Sequence, residues 1–165
     1  MARIDKKKDL RPSILDRLID YEPRSADEPE KSKHQRLKEL RASVKRDLEN
    51  LLNTRYRIVS PPEDCEQLEF SILNYGLADL ATVNITDLEK RKAFTRNLEH
   101  ILKSYEPRFK TVTVSYQENN DNTDRTLRFR IDATIYADPA PEVVVFDSVL
   151  EPVSRAVNVE ESHHV

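Results

Sequence analysis

The chain has 165 residues, one glycine (Gly76), one cysteine (Cys65), no tryptophan and a formal net charge of -3. A single glycine cannot build a phosphate loop or a dinucleotide fingerprint, because both bring backbone N–H groups against phosphate through several glycines. A single cysteine allows no internal disulfide and fits a reducing, cytoplasmic compartment, while the slightly acidic balance argues against general nucleic-acid binding.

No apolar run approaches the roughly 18 residues of a membrane span, so no membrane insertion is expected. The basic N-terminus lacks the apolar core of a secretory signal. Pro12 to Asp20 reads as a short helix, with Pro12 in the first turn. Ile14, Leu15, Leu18 and Ile19 make a narrow apolar stripe between charged segments. That pattern suits a docking helix with Leu15 and Leu18 as contact residues, and equally a helix packed on its own domain. "EPRSADEPEKS", residues 22–32, has no large apolar side chain to offset its ordering entropy and reads as a linker.

A long helix is expected from about Lys33 to Thr54, with Leu37, Leu40, Val44, Leu48, Leu51 and Leu52 on its buried face. Asn53 is placed to end it. A second short helix is expected from near Asp64, closed by Gly76 in a left-handed conformation. Thr86 to Glu89 has the spacing of a capping box. It opens a helix running to Tyr105, with Leu88, Phe94, Leu98, Ile101, Leu102 and Tyr105 on the buried side. Pro107 disfavours helix at Glu106 and should stop it there.

Beyond Pro107 the apolar period changes to two. Val112, Val114 and Tyr116 share one face of a first strand. Leu127, Phe129, Ile131, Ala133 and Ile135 share one face of a second, across a polar turn, so the two read as a hairpin. Glu142 to Leu150 reads as a third strand and as the candidate edge for pairing with a partner. Residues 151–165 show no clear period and read as a flexible tail. Helices first and strands later give an α+β fold, with helices on one face of a small, mostly antiparallel sheet. The expected organisation is 1–32 docking helix and linker, 33–150 main domain, and 151–165 tail.

Chemistry finds little support. His34 and His100 fall on helix surfaces, and His163 and His164 are an adjacent pair in the tail, so no metal site is expected. There is no nucleophile elbow, and Cys65 falls on an apolar helix face, where a free cysteine acts as a small hydrophobe. With 30 acidic residues, some carboxylate pair at glycosidase separation is unavoidable and carries no information. No cofactor, catalytic residue or small-molecule substrate is expected. A peptidoglycan glycosidase and a generic interaction domain remain the alternative readings.

Two charged elements stand out. Arg55 and Arg57 follow the long helix and complement its dipole. Glu106, Pro107 and Arg108 lie between the capped helix and the first strand, where an extended backbone projects Glu106 and Arg108 to one side. They read either as a preset pair for a partner or as an internal salt bridge fixing the corner. Tyr-Glu-Pro-Arg also occurs at Tyr21 to Arg24, but that copy leads into the linker and reads as a helix stop.

"SVKRDLENLLNTR", "SILNYGLADL" and "YEPRF" before an alternating strand, in this order and spacing, resemble the lysozyme-like baseplate wedge family of contractile injection machines. "RPSILDRLID" is similar to its type VI secretion branch. The resemblance covers roughly Arg11 to Leu150. It implies a non-enzymatic assembly role, with contacts to the baseplate subunits TssF and TssG and to the sheath proteins TssB and TssC. It implies wedge contacts for Glu106, Pro107 and Arg108 and draws Asn53 and Arg55 of "LLNTR" into the same motif set. Adding a neighbour's strand to a sheet edge is an established recognition mode, which makes Val144 and Val145 the candidate pairing residues.

Overall fold

The computed structural model describes residues 13–19, 23–24, 31–55, 64, 67–68, 71–77, 88–119, 126–137, 140–151, 154 and 156–162. Its helices are α1 (Ile14–Leu18), α2 (Lys33–Asn53) and α3 (Leu88–Tyr105). Its strands are β1 (Phe109–Gln117), β2 (Leu127–Ile135), β3 (Glu142–Leu150) and β4 (Val157–Glu161). The strands form one antiparallel sheet in the order β1-β2-β3-β4. This is an α+β fold with an open sheet. Helix α3 packs on β1 and α2 on β4, so the two long helices cover opposite halves of one sheet face.

The sequence pattern accounts for these elements. In α2, Ser32 Oγ accepts from the Gln35 N–H while Gln35 Oε1 accepts from the Ser32 N–H, a reciprocal cap that starts the helix. Leu40, Val44, Leu48, Leu51 and Leu52 then bury one side. Helix α3 buries Phe94, Leu98, Ile101 and Leu102 and ends at Tyr105, as Pro107 requires. Leu88, expected inside, is exposed. Thr86 and Cys65 lie outside the described residues.

The alternation in β2 is complete: Leu127, Phe129, Ile131, Ala133 and Ile135 all face the core. Val112 and Val114 join them from β1, and Val144, Phe146 and Leu150 from β3. Phe94 of α3 meets Phe129 edge to face at 5.9 Å, tying helix to sheet.

Three further departures from the sequence reading lie in the elements themselves. Between Asp64 and Gly76 the described residues hold a 3-10 turn, Ile72–Asn74, with Ile72 and Leu73 exposed. Gly76 does take a positive φ of 111°, but its decisive feature is a close approach. A β-carbon there would sit 2.4 Å from the Thr54 carbonyl oxygen. The glycine lets the chain cross the end of α2, where the Leu77 N–H donates to that oxygen at 2.8 Å.

The second departure is β4. Residues 157–161, read as tail, pair with Phe146 to Leu150, and Val157 and Val159 complete the core. Val alternating with polar residues is a strand pattern, but five residues in a polar terminus give it little length. The third follows from the second. β3 is not an edge along its length, because β4 covers it from Phe146 onward and the Ser162 N–H takes the Val145 carbonyl. Only its first residues extend past β4.

Candidate functional site

Helix α1 sits on α2 through its polar side. Ser13 caps α1: its hydroxyl accepts from the Asp16 N–H, and Asp16 Oδ2 accepts from the Ser13 N–H. That carboxylate also leaves the helix. Oδ2 accepts from the Ser43 hydroxyl at 2.6 Å, and Oδ1 accepts from Arg46 Nη2 at 2.5 Å. With the polar side engaged, the apolar stripe points away. Ile14 is 78%, Leu15 57% and Leu18 76% exposed. Three exposed aliphatic side chains on one short helix form a patch that water solvates poorly.

The second cluster is the corner between α3 and β1. Glu106, only 5% exposed, follows the last turn of α3, and its N–H still reaches the Leu102 carbonyl. Pro107 turns the chain so that Arg108 folds back on it. Arg108 Nε donates to Glu106 Oε1 at 2.6 Å and Nη2 to Oε2 at 2.5 Å, a two-pronged pairing. The Arg108 N–H adds a third bond to Oε1 at 3.1 Å. The other side of the guanidinium reaches α2: Nη1 donates to Ser43 Oγ at 2.9 Å and Nη2 to Asp47 Oδ2 at 2.7 Å. An extended backbone was expected here, but the Phe109 N–H closes a turn onto the Glu106 carbonyl; that turn brings the two charges together, and both are paired within the fold.

Electrostatics follow from these contacts. Burial works against the charged form of Asp16, but hydrogen bonds from Ser13, Ser43 and Arg46, with the Arg46 charge, outweigh it. The carboxyl is held well below its usual range. Burial likewise opposes the Arg108 charge, and the carboxylates of Glu106 and Asp47 overcome it. Tyr75 stands beside this cluster. Burial first, and then the Asp47 and Glu106 charges, push its hydroxyl up. Its ring meets Tyr105 edge-on at 5.3 Å, and the Tyr105 hydroxyl donates to the Ser71 carbonyl.

Asn53 and Arg55 lie elsewhere and act locally. The Asn53 side-chain amide pairs with the Val157 backbone in both directions, accepting from its N–H at 2.8 Å and donating to its carbonyl at 2.9 Å. It stands in for a neighbouring strand on β4. Arg55 Nη1 donates to the Leu52 carbonyl, closing the C-terminal end of α2. Val144 points into the core, Val145 is buried outside the core cluster, and Val143 beside them is 69% exposed. The first Tyr-Glu-Pro-Arg copy lies half outside the described residues.

Sequence reasoning missed Asp16, Ser43, Arg46 and Asp47. A signal was present for three of them. Ser43, Arg46 and Asp47 are spaced i, i+3, i+4, which puts them on one face of α2. Ser43 interrupts the buried stripe between Leu40 and Val44.

The family model for baseplate wedge protein gp25 matches residues 38–140. The chain belongs to the gp25 baseplate wedge family. The matched span takes in most of α2, the Gly76 crossing, α3, the Glu106 to Arg108 corner and the β1–β2 hairpin. Membership gives the chain a structural role in a baseplate, among other baseplate and tail proteins. Among the described residues no helix is long and apolar enough to cross a membrane. No curated protein matches the chain.

Proposed function

We propose that this chain is a TssE-like wedge subunit of a type VI secretion baseplate, working in the cytoplasm. It joins TssF and TssG to the first layer of the TssB–TssC sheath and catalyses nothing. The observation that carries this reading is α1, a helix latched by its polar side and offering Ile14, Leu15 and Leu18 to solvent. A small aliphatic face held in fixed orientation loses little entropy on docking, and each side chain buried contributes roughly 1.5–3 kcal/mol. TssF or TssG is the occupant under this reading.

Strand pairing with the sheath falls to the far side of the sheet. The main chain of β3 before Val145 extends past β4, while the Val145 carbonyl is already taken by the Ser162 N–H, and β4 itself is the outer strand beyond it. Glu106, Pro107 and Arg108 shape the wedge surface by fixing the corner under α1, so a partner reads their geometry more than their charges. Asn53 and Arg55 serve in the same way, by holding β4 and the end of α2.

Co-expression with TssF and TssG homologues tests this. The wild-type chain should co-purify with them, and a Leu15→Asp, Leu18→Asp double variant of unchanged thermal stability should not. Undiminished capture of that variant would remove α1 from the interface. Failure of the wild type to bind would remove the type VI assignment.

A further inference from the structure

Helix α1 has five residues, too few for a helix to persist alone in water. Apolar burial does not hold it, because Ile14, Leu15, Leu18 and Ile19 are all exposed. Among the described residues, the bonds that fix it to the rest of the molecule are those of Asp16 to Ser43 and Arg46.

Those bonds belong to a closed ring. Arg108 Nη1 donates to Ser43 Oγ at 2.9 Å, and Ser43 Oγ donates to Asp16 Oδ2 at 2.6 Å. Arg46 Nη2 donates to Asp16 Oδ1 at 2.5 Å and to Asp47 Oδ1 at 3.2 Å. Arg108 Nη2 donates to Asp47 Oδ2 at 2.7 Å, which closes the circuit. The ring joins α1, the middle of α2 and the α3–β1 corner. Its direction is fixed by chemistry. Arginine only donates and carboxylate only accepts. Ser43 therefore takes the Arg108 proton on a lone pair and turns its single hydroxyl proton to Asp16. In a partly buried ring each bond polarises the next, and loss of one weakens the others.

We propose that Ser43 and Asp47 couple the docking helix to the Glu106–Arg108 corner, so that α1 holds its apolar face in place only while Arg108 occupies both of them. Ser43 and Asp47 are positioning residues: they act on α1 through Asp16 and Arg46. Without Arg108, the Ser43 hydroxyl is free to rotate away from Asp16. Arg46 also loses the fixed orientation that Asp47 gives it. The consequence for the family's charged motif is specific. A change at Arg108 alters the α1 surface without touching it, through the shared face of α2.

The inference rests on the proposed docking role only for what α1 binds. It is measured on the isolated chain, so its failure and a failure of partner binding are separate results. The chain has no tryptophan, so Leu18→Trp places a single fluorophore on α1. Time-resolved anisotropy then separates tumbling with the domain from faster local motion. Arg108→Lys and Asp47→Asn are introduced separately, since neither side chain touches α1. Circular dichroism confirms the fold. The slow component should fall by about half or more in each variant, as in the direct-contact control Ser43→Ala. Asp47→Asn decides the matter if Arg108→Lys fails to fold. A full slow component in folded Asp47→Asn, with Ser43→Ala mobile, would show a local latch uncoupled from the corner and overturn the proposal. So would wild-type mobility equal to that of Ser43→Ala.

Discussion

Replacing Arg108 by alanine should be among the most destabilising single changes available in this chain. The substitution removes four side-chain hydrogen bonds, two to Glu106 and one each to Ser43 and Asp47. It leaves Glu106 almost fully buried, with only the backbone N–H of residue 108 at 3.1 Å. Removing one partner of a buried ion pair costs about 3–5 kcal/mol, because the other charge is left without compensation. The Arg108 side chain keeps 19% exposure, so water reaches the site and the lower end applies, about 3 kcal/mol. For a chain of this size that lowers Tm by about 6–12 °C. Urea unfolding of the purified variant measures it. A loss under about 1 kcal/mol would refute the reasoning, since that is the worth of a solvated surface pair. A second arm checks the cause. Adding Glu106→Gln to Arg108→Ala removes the stranded charge and should recover part of the stability. The result also bears on binding experiments, because weakened partner capture by Arg108→Ala follows from structural loss and does not by itself place Arg108 in a contact.

Asn53→Ala removes both bonds to the Val157 backbone and should cost about 1–2 kcal/mol, with faster amide exchange at Val157 than at β2 positions. Equal exchange at Val157 before and after would mean that β4 is held by its own pairing alone. Gly76→Ala should cost at least about 2 kcal/mol, since a positive φ is strained for alanine and its β-carbon meets the Thr54 carbonyl; an unchanged Tm would contradict the close approach. The Asp16 carboxyl is depressed in the folded chain, so the stability it contributes is present above the unfolded value and is lost as pH falls. The α1 anisotropy signal should therefore be flat from pH 8 to about pH 5 and decline only below about pH 4. A decline centred near pH 6 would point to another group.

Much of the fold was legible because it is periodic. The stripe of Leu40, Val44, Leu48 and Leu52 and the alternation from Leu127 to Ile135 state burial at helix and strand periods, and the structure buries all of them. Pro107 stops α3 by local sterics, which also reads directly from sequence. What was not legible depends on contacts between distant segments. Whether Glu106 and Arg108 face a partner or the fold is decided by Ser43 and Asp47 on another helix, 65 and 61 residues away. Asn53 reads as a helix end, and its pairing with Val157 lies 104 residues along the chain. β4 was lost to its brevity, and with it the assignment of the sheet edge. The apolar stripe of α1 is visible in the sequence, but only the structure shows that its polar side faces the protein.

If the α1 face ties this wedge subunit to the baseplate, as proposed, sheath growth depends on Leu15 and Leu18. The most direct measurement is sheath assembly in cells. A strain lacking the chain, carrying a fluorescent sheath protein, is complemented with wild type or with Leu15→Asp, Leu18→Asp at matched protein levels. Wild type should restore extended sheaths and the double variant should not. Full sheath assembly with the double variant would mean that α1 does not hold the chain in the baseplate.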